Sequence, residues 1–233
     1  MSKKSDQLAV VLVSGGMDSL VSSAIANALH NELAFLHLNY GQKTEKKELE
    51  AFHNIADHYN VSHKYRKIID VSFLRQIGGS SLTDDSIKVK KYSGESEEIP
   101  DSYVPFRNTH IVAMAVSWSE VIGGKKIYIG AVEEDSSGYP DCRPSYYKAL
   151  NNLIKEGTKD GDIEVITPVI SLTKSQIVAK AIELKAPVEM SWSCYERNDV
   201  ACGECDSCAL RLRGFQIAGE KDPIEYLKRP KYD

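Results

Sequence analysis

Two short stretches of the 233-residue chain carry side chains whose types and spacing imply chemistry. The first is Ser14-Gly15-Gly16-Met17-Asp18-Ser19, directly after an apolar run at residues 8–13. Paired glycines remove side chains so that backbone N–H groups converge on phosphate oxygens. A helix starting there adds unsatisfied donors and a favourable dipole. Ser14 and Ser19 supply hydroxyls, and Asp18 either coordinates magnesium or braces the loop. No Gly-Lys-Ser/Thr follows, so this is not the loop that grips phosphates with a lysine during terminal phosphate transfer. The expected nucleotide-binding set is Leu12, Val13, Ser14, Gly15, Gly16, Met17, Asp18, Ser19 and Leu20. The second stretch is Cys194-x7-Cys202-x2-Cys205-x2-Cys208, four of the five cysteines, with Gly203 allowing a tight turn between them. Four thiolates close a tetrahedral zinc shell and leave no open position, so the expected role is to fold a segment that lacks its own core. An iron–sulfur cluster is the rival occupant. Cys142 stands alone.

These side chains need elements to position them. Residues 8–13 are continuously apolar and β-branched, as suits a strand buried on both faces of a parallel sheet. Leu20, Val21, Ala24, Ile25, Ala28 and Leu29 recur at helical spacing, and residues 33–38 read as a second strand. A helix over about 44–59, with Leu49, Phe52, Ile55 and Tyr59 inward, and a strand over about 62–69 repeat the unit. The polar stretch at about 75–102 is too long for a simple connector, and reads equally as a lid or as a solvated excursion. Residues 108–122 are apolar on most faces and predict a largely buried helix, followed by a strand at 126–130. A helix over about 145–155, a short strand at 163–166 and a helix from Thr173 to about 184 complete the pattern. Thr173 and Gln176 form a capping box at the start of that last helix. The alternation predicts an α/β fold with an open, mainly parallel, doubly wound sheet. It places the glycine loop at the carboxyl edge, where such sheets bind ligands. Lys174, in the first turn of the last helix, is placed to reach phosphates and neutralise a leaving pyrophosphate.

The glycine loop resembles that of the N-type ATP pyrophosphatases, whose members activate a carboxylate or carbonyl oxygen by attack on the α-phosphorus. With the cysteine cluster and Cys194-Tyr195, the motifs Tyr40-Gly41-Gln42, Ser80-Ser81-Leu82, Val104-Pro105-x-Arg107-Asn108 and Gly138-Tyr139-Pro140-Asp141-Cys142-Arg143 make nearly the whole chain resemble the 7-cyano-7-deazaguanine synthases. The resemblance implies an adenine nucleotide alpha hydrolase-like domain over 1–190, with a zinc knuckle and helical tail over 191–233 packed as part of the same unit. It implies a ligase taking 7-carboxy-7-deazaguanine, ammonia and Mg2+-ATP to the nitrile by successive adenylation of the carboxylate and amide oxygens, in queuosine biosynthesis. It also implies one structural Zn2+ per chain and a homodimer. Asp18, Lys174 and Arg107 are the expected catalytic residues. Tyr40, Gln42, Arg107, Asn108, Asp135, Tyr139 and Asp141 are the expected substrate contacts. Two departures are visible: Phe106 stands where the family usually has glycine, and Glu196-Arg197-Asn198 follows Tyr195.

A net charge of −4 offers no general field for RNA or anionic membrane. The run at 8–13 is too short for a signal sequence or a membrane span, so a cytoplasmic enzyme without nucleic-acid or membrane partners is expected. The competing enzyme class is a tRNA thiolase with Cys142 as its thiol. A zinc-containing nucleotide sensor that binds ATP without consuming it is the non-catalytic alternative.

Overall fold

The computed structural model describes residues 4–94, 99–133 and 139–232. Five strands form one wholly parallel sheet: β1 (Ala9–Leu12), β2 (Leu33–Asn39), β3 (Arg66–Asp70), β4 (Lys126–Ile129) and β5 (Glu164–Ile166), in the order β3-β2-β1-β4-β5. The helices are α1 (Met17–Leu29), α2 (Glu45–His58), α3 (Arg107–Ile122), α4 (Pro144–Gly157), α5 (Lys174–Glu183) and α6 (Asp206–Ile217). β1 lies in the centre, Ala9 pairing with both Leu33 and Lys126. Successive side chains of a strand point to opposite faces, so Val10 and Leu12 join one core with Val112, Trp118 and Leu150. Ala9, Val11 and Val13 join the other with Leu20, Phe52 and Ile177. Helices α3 and α4 cover the first face, and α1, α2, α5 and α6 the second. This is the three-layer α/β arrangement expected.

Strand order reverses direction between β1 and β4, and the crevice beyond their carboxyl ends is where doubly wound sheets place ligands. Both loops that leave these strands meet there. Gly130 follows β4, and a Cβ added to it would lie 2.6 Å from Asp18 C and from Ser19 N.

The capping box at α5 is present in full, the Thr173 side chain accepting from Gln176 N–H and Gln176 Oε1 from Thr173 N–H. Two readings needed revision, the start of the third strand and the burial of α3. The 62–69 segment begins as a 3-10 turn (His63–Tyr65), and the edge strand starts only at Arg66. The Arg66 guanidinium is drawn back onto Asp57 and the Ala56 and Val61 carbonyls. On α2 Phe52 and Ile55 are buried and Leu49 and Tyr59 pack against the same core, as expected, with Ala51 and Ala56 buried beside them. α3 buries a single stripe, Asn108, Val112, Ala115, Trp118 and Ser119, and leaves Val121 82% exposed. As an outer-layer helix it meets the sheet on one side only, whatever its composition elsewhere.

The 75–102 stretch, where it is described, combines both readings: Pro100 and Ser102 line the cavity described below, and residues 75–77, 85, 86, 93 and 94 are exposed, while its middle is packed onto the chain. Ser80, Ser81, Leu82 and Thr83 are buried, Tyr92 N–H donates to Glu204 O at 2.8 Å, and Lys91 bridges Cys205.

Phe106 precedes α3 with φ 58° and ψ 20°, the left-handed region. A non-glycine residue there bears about 1–2 kcal/mol of strain, and glycine brings back roughly 0.5–1 kcal/mol of chain entropy. The Phe106 ring is exposed and meets His110 edge-on. Phe106→Gly is therefore expected to change stability by less than about 1 kcal/mol. Turnover should be retained, because the ring lies outside the cavity described below. Thermal melting and kcat/KM of the variant check both.

Candidate active site

A cavity of about 260 Å³ opens above β1 and β4, near the lower end of the roughly 300–1,000 Å³ of small-molecule sites. One wall is the glycine loop. Gly15 has φ +93°, and a Cβ there would lie 2.7 Å from Glu48 O, so only glycine permits this approach of the loop to α2. Gly15 O accepts from Trp192 N–H at 2.8 Å, which clamps the loop from the segment after α5. Ser19 Oγ donates to Gly16 O at 2.9 Å and Ser14 Oγ donates to Ser19 Oγ at 3.1 Å. No side chain caps α1, so its first-turn N–H groups face the cavity without a capping oxygen. Leu12, Val13, Ser14, Gly16, Met17, Asp18 and Ser19 line the cavity, while Gly15 supports the loop from behind and Leu20 is buried in the core.

Lys174 Nζ lies 2.9 and 3.0 Å from the two Asp18 oxygens, in a partly buried ion pair at the cavity wall. The lysine is set by its neighbour helix: a Cβ on Gly214 of α6 would lie 2.6 Å from Lys174 Cγ.

Across the cavity, Arg107 Nη1 donates to Tyr40 Oη at 3.1 Å, and the guanidinium sits 5.2 Å from the Tyr40 ring centre. Arg107 makes no ion pair among the described residues. Burial raises the Tyr40 phenol to about 12 and pushes Tyr139 and Tyr195 up as well, so all three stay neutral near pH 7. Tyr139 Oη and Ser102 Oγ are hydrogen-bonded at 2.6 Å. Asn108 lines the cavity, its Nδ2 donating to Asp141 O and toward Cys142 Sγ. Asp141 lies behind it and accepts the Asn108 N–H at the start of α3. Burial raises the Asp141 carboxyl. Gln42 likewise lies outside the cavity, its Oε1 accepting Tyr40 N–H and its Nε2 donating to Glu48. Asp135 lies outside the described residues. His37 is a buried core histidine held by Val13 O and Asn39 Oδ1, and His110 packs between the rings of Phe73 and Phe106.

Several cavity residues had no place in the sequence reading. Glu48, whose oxygens accept from Thr44 Oγ1 and Gln42 Nε2 and whose carboxyl is raised by burial, sits on a helix face that carried no motif. Gly130 directly follows a buried strand, a signal visible in the sequence but not tied to the glycine loop. Asp206 and Ser207 read only as the spacer of a Cys-x2-Cys step.

The four cysteine sulfurs lie within 4.8 Å of one another, all buried, with Cys202 Sγ and Cys208 Sγ 3.8 Å apart. Cys202 Sγ accepts N–H bonds from Glu204 and Cys205, and Cys194 Sγ from Cys202. Tetrahedral sulfurs about 2.3 Å from one metal lie about 3.8 Å apart, so the set fits a single ion. A four-iron cube would spread its thiolates over separate corners. The knuckle is not a satellite of the site. Cys205 occupies the N-cap position of α6 and Cys208 lies in its first turn, and the first two turns present Asp206, Ser207, Leu210 and Arg211 to the cavity. Arg211 is fully engaged by Asp222, Ser191 Oγ and Val188 O, so it serves to fix this wall.

Residues 8–219 match the family described as queuosine biosynthesis protein QueC. The chain belongs to that family. A 7-cyano-7-deazaguanine synthase of Chlorobium phaeobacteroides is 58% identical over 225 residues, covering 96% of this chain and 99% of its own. One of Chloroherpeton thalassium is 60% identical over the same shares. Among solved structures, the U34-tRNA thiolase NcsA from Methanococcus maripaludis with its [4Fe-4S] cluster superposes with a TM-score of 0.51 at 15% identity. It covers 79% of this chain and 58% of that one, a likeness of fold alone. No described helix is long and apolar enough to cross a membrane.

Proposed function

We propose that the chain is an ATP-dependent carbon–nitrogen ligase that converts 7-carboxy-7-deazaguanine and ammonia to 7-cyano-7-deazaguanine. One observation carries the reading: a single cavity joins a pyrophosphate-type loop, with its Asp18–Lys174 pair, to a guanidinium that has no ion-pair partner among the described residues. The family and its relatives support it.

A carboxylate is a poor electrophile, and adenylation turns one of its oxygens into part of a leaving group. The loop N–H groups and Ser14 and Ser19 bind the phosphates. Lys174, released from Asp18 by the incoming nucleotide, neutralises charge growing on pyrophosphate. Asp18, with the loop hydroxyls beside it, offers the hard oxygen ligands that Mg2+ takes; the ion would supply charge neutralisation on the phosphates. Arg107 holds the substrate carboxylate by a bidentate contact, and the neutral phenols of Tyr40, Tyr139 and Tyr195 give the base apolar faces and hydroxyl donors. Ammonia displaces AMP to give the amide. A second adenylation, on the amide oxygen, followed by loss of AMP and a proton, leaves the nitrile. Cys194, Cys202, Cys205 and Cys208 hold one structural Zn2+. The enzyme works as a cytoplasmic homodimer.

Mass spectrometry of protein incubated with Mg2+-ATP, an ammonium salt and 7-carboxy-7-deazaguanine tests the reading. AMP and pyrophosphate are expected with an amide and then a nitrile, two ATP per nitrile. Absence of substrate-dependent ATP cleavage would overturn it. Asp18→Ala should lower turnover on the order of a hundred- to a thousandfold and change stability by no more than about 1 kcal/mol, because Asp18 is only partly buried at the cavity wall and its side chain holds nothing but Lys174. Full activity in that variant would remove Asp18 from the site.

A further inference from the structure

The proposed substrate carries two recognition problems, a carboxylate and a 2-amino-pyrimidinone edge, and the donors of that edge have been given no acceptor. That edge presents two adjacent donors, the 2-amino group and N1–H, followed by the C=O acceptor. A carboxylate whose two oxygens are both available is the side chain that matches adjacent donors. Three described carboxylates line the cavity. Asp18 is occupied by Lys174, and both oxygens of Glu48 accept from Thr44 and Gln42. Asp206 is partly buried and has no hydrogen bond or ion pair among the described residues. Asp141 lies behind the cavity and is bound to Asn108 N–H. Ser207, next in sequence, lines the same cavity with a hydroxyl that makes no hydrogen bond among the described residues, and the Ser102–Tyr139 pair lines it too.

We infer that Asp206 is the specificity-determining residue for the base: its carboxylate accepts from the 2-amino group and N1–H, and Ser207 donates to the neighbouring carbonyl. The inference rests on the synthase reading above. It gives the knuckle a role beyond holding the tail, because Cys205 and Cys208 bracket the two residues that meet the base.

The test compares 7-carboxy-7-deazaguanine with its 2-oxo analogue, 7-carboxy-7-deazaxanthine, as substrates of the metal-loaded full chain. The wild type should favour the 2-amino base. Asp206→Asn keeps one acceptor for N1–H and places a donor opposite position 2. It should lose about ten- to a hundredfold in kcat/KM on the 2-amino base and gain on the 2-oxo base, so that the preference inverts. ATP affinity and metal content should stay at wild-type values. Asp206→Ala, which removes the acceptor without adding a donor, should bring the ratio of the two substrates toward one, and it serves if the asparagine disturbs the knuckle. A wild-type ratio in either metal-loaded variant overturns the assignment of Asp206. A wild type inert toward 7-carboxy-7-deazaguanine instead overturns the synthase reading, so the two failures are separable.

Discussion

Gly130→Ala is expected to lower turnover about a hundredfold or more in a chain that still folds. The added methyl carbon would lie 2.6 Å from Asp18 C and Ser19 N and 2.7 Å from Asp18 O, where ordinary contact begins near 3.4 Å. All three atoms are backbone, so no side chain can swing aside. The loop must retreat by about 1 Å, and misplacement on that scale costs on the order of a hundredfold even when no reacting group is removed. The stability cost should stay within the roughly 1–3 kcal/mol of a local overpacking, because the sheet beneath is untouched. Steady-state kinetics beside a thermal melt reads both. Gly157→Ala, whose methyl would meet nothing within 4 Å, supplies the control. Near-wild-type turnover in Gly130→Ala would show that the loop does not depend on this contact.

Cys205→Ser should release the metal and loosen the C-terminal segment. A serine hydroxyl is not deprotonated near neutral pH and cannot replace a thiolate, so one of four ligands is lost. Structural zinc contributes roughly 10–16 kcal/mol to the folding of small domains, and much of that should go. Cys205 also occupies the N-cap position of α6 and bridges Lys91, so its release frees the turn carrying Asp206 and Ser207. The sequence alone suggests damage to folding more than to chemistry; the structure extends the damage to the cavity wall proposed to bind the base. Metal content, resistance of residues 191–233 to limited proteolysis and base affinity should fall together, while the sheet core holds. A metal-free variant that is stable and active would sink the structural-zinc assignment.

The sequence by itself determined the parts whose information is local. Val10 to Leu12 are buried and β-branched or apolar at every position, as a central parallel strand requires. The Thr173–Gln176 box fixed the start of α5 through contacts three residues apart. The glycine loop and the four cysteines could be picked out because a candidate phosphate cradle and a candidate thiolate set each draw on one short segment. What the tertiary structure decided is every relation between segments. Gly130 matters only because strand order carries the end of β4 to Asp18, and Gly214 only because α6 lies on Lys174. Asp206 is a spacer until the knuckle turns it into the cavity, and Gln42 and Asp141, apt by type, are spent on Glu48 and Asn108 behind the wall. α3 looked buried because composition does not record how many neighbours a helix has. Side-chain chemistry is written along the chain, but which groups share a cavity is set by crossovers and packing between residues far apart in sequence.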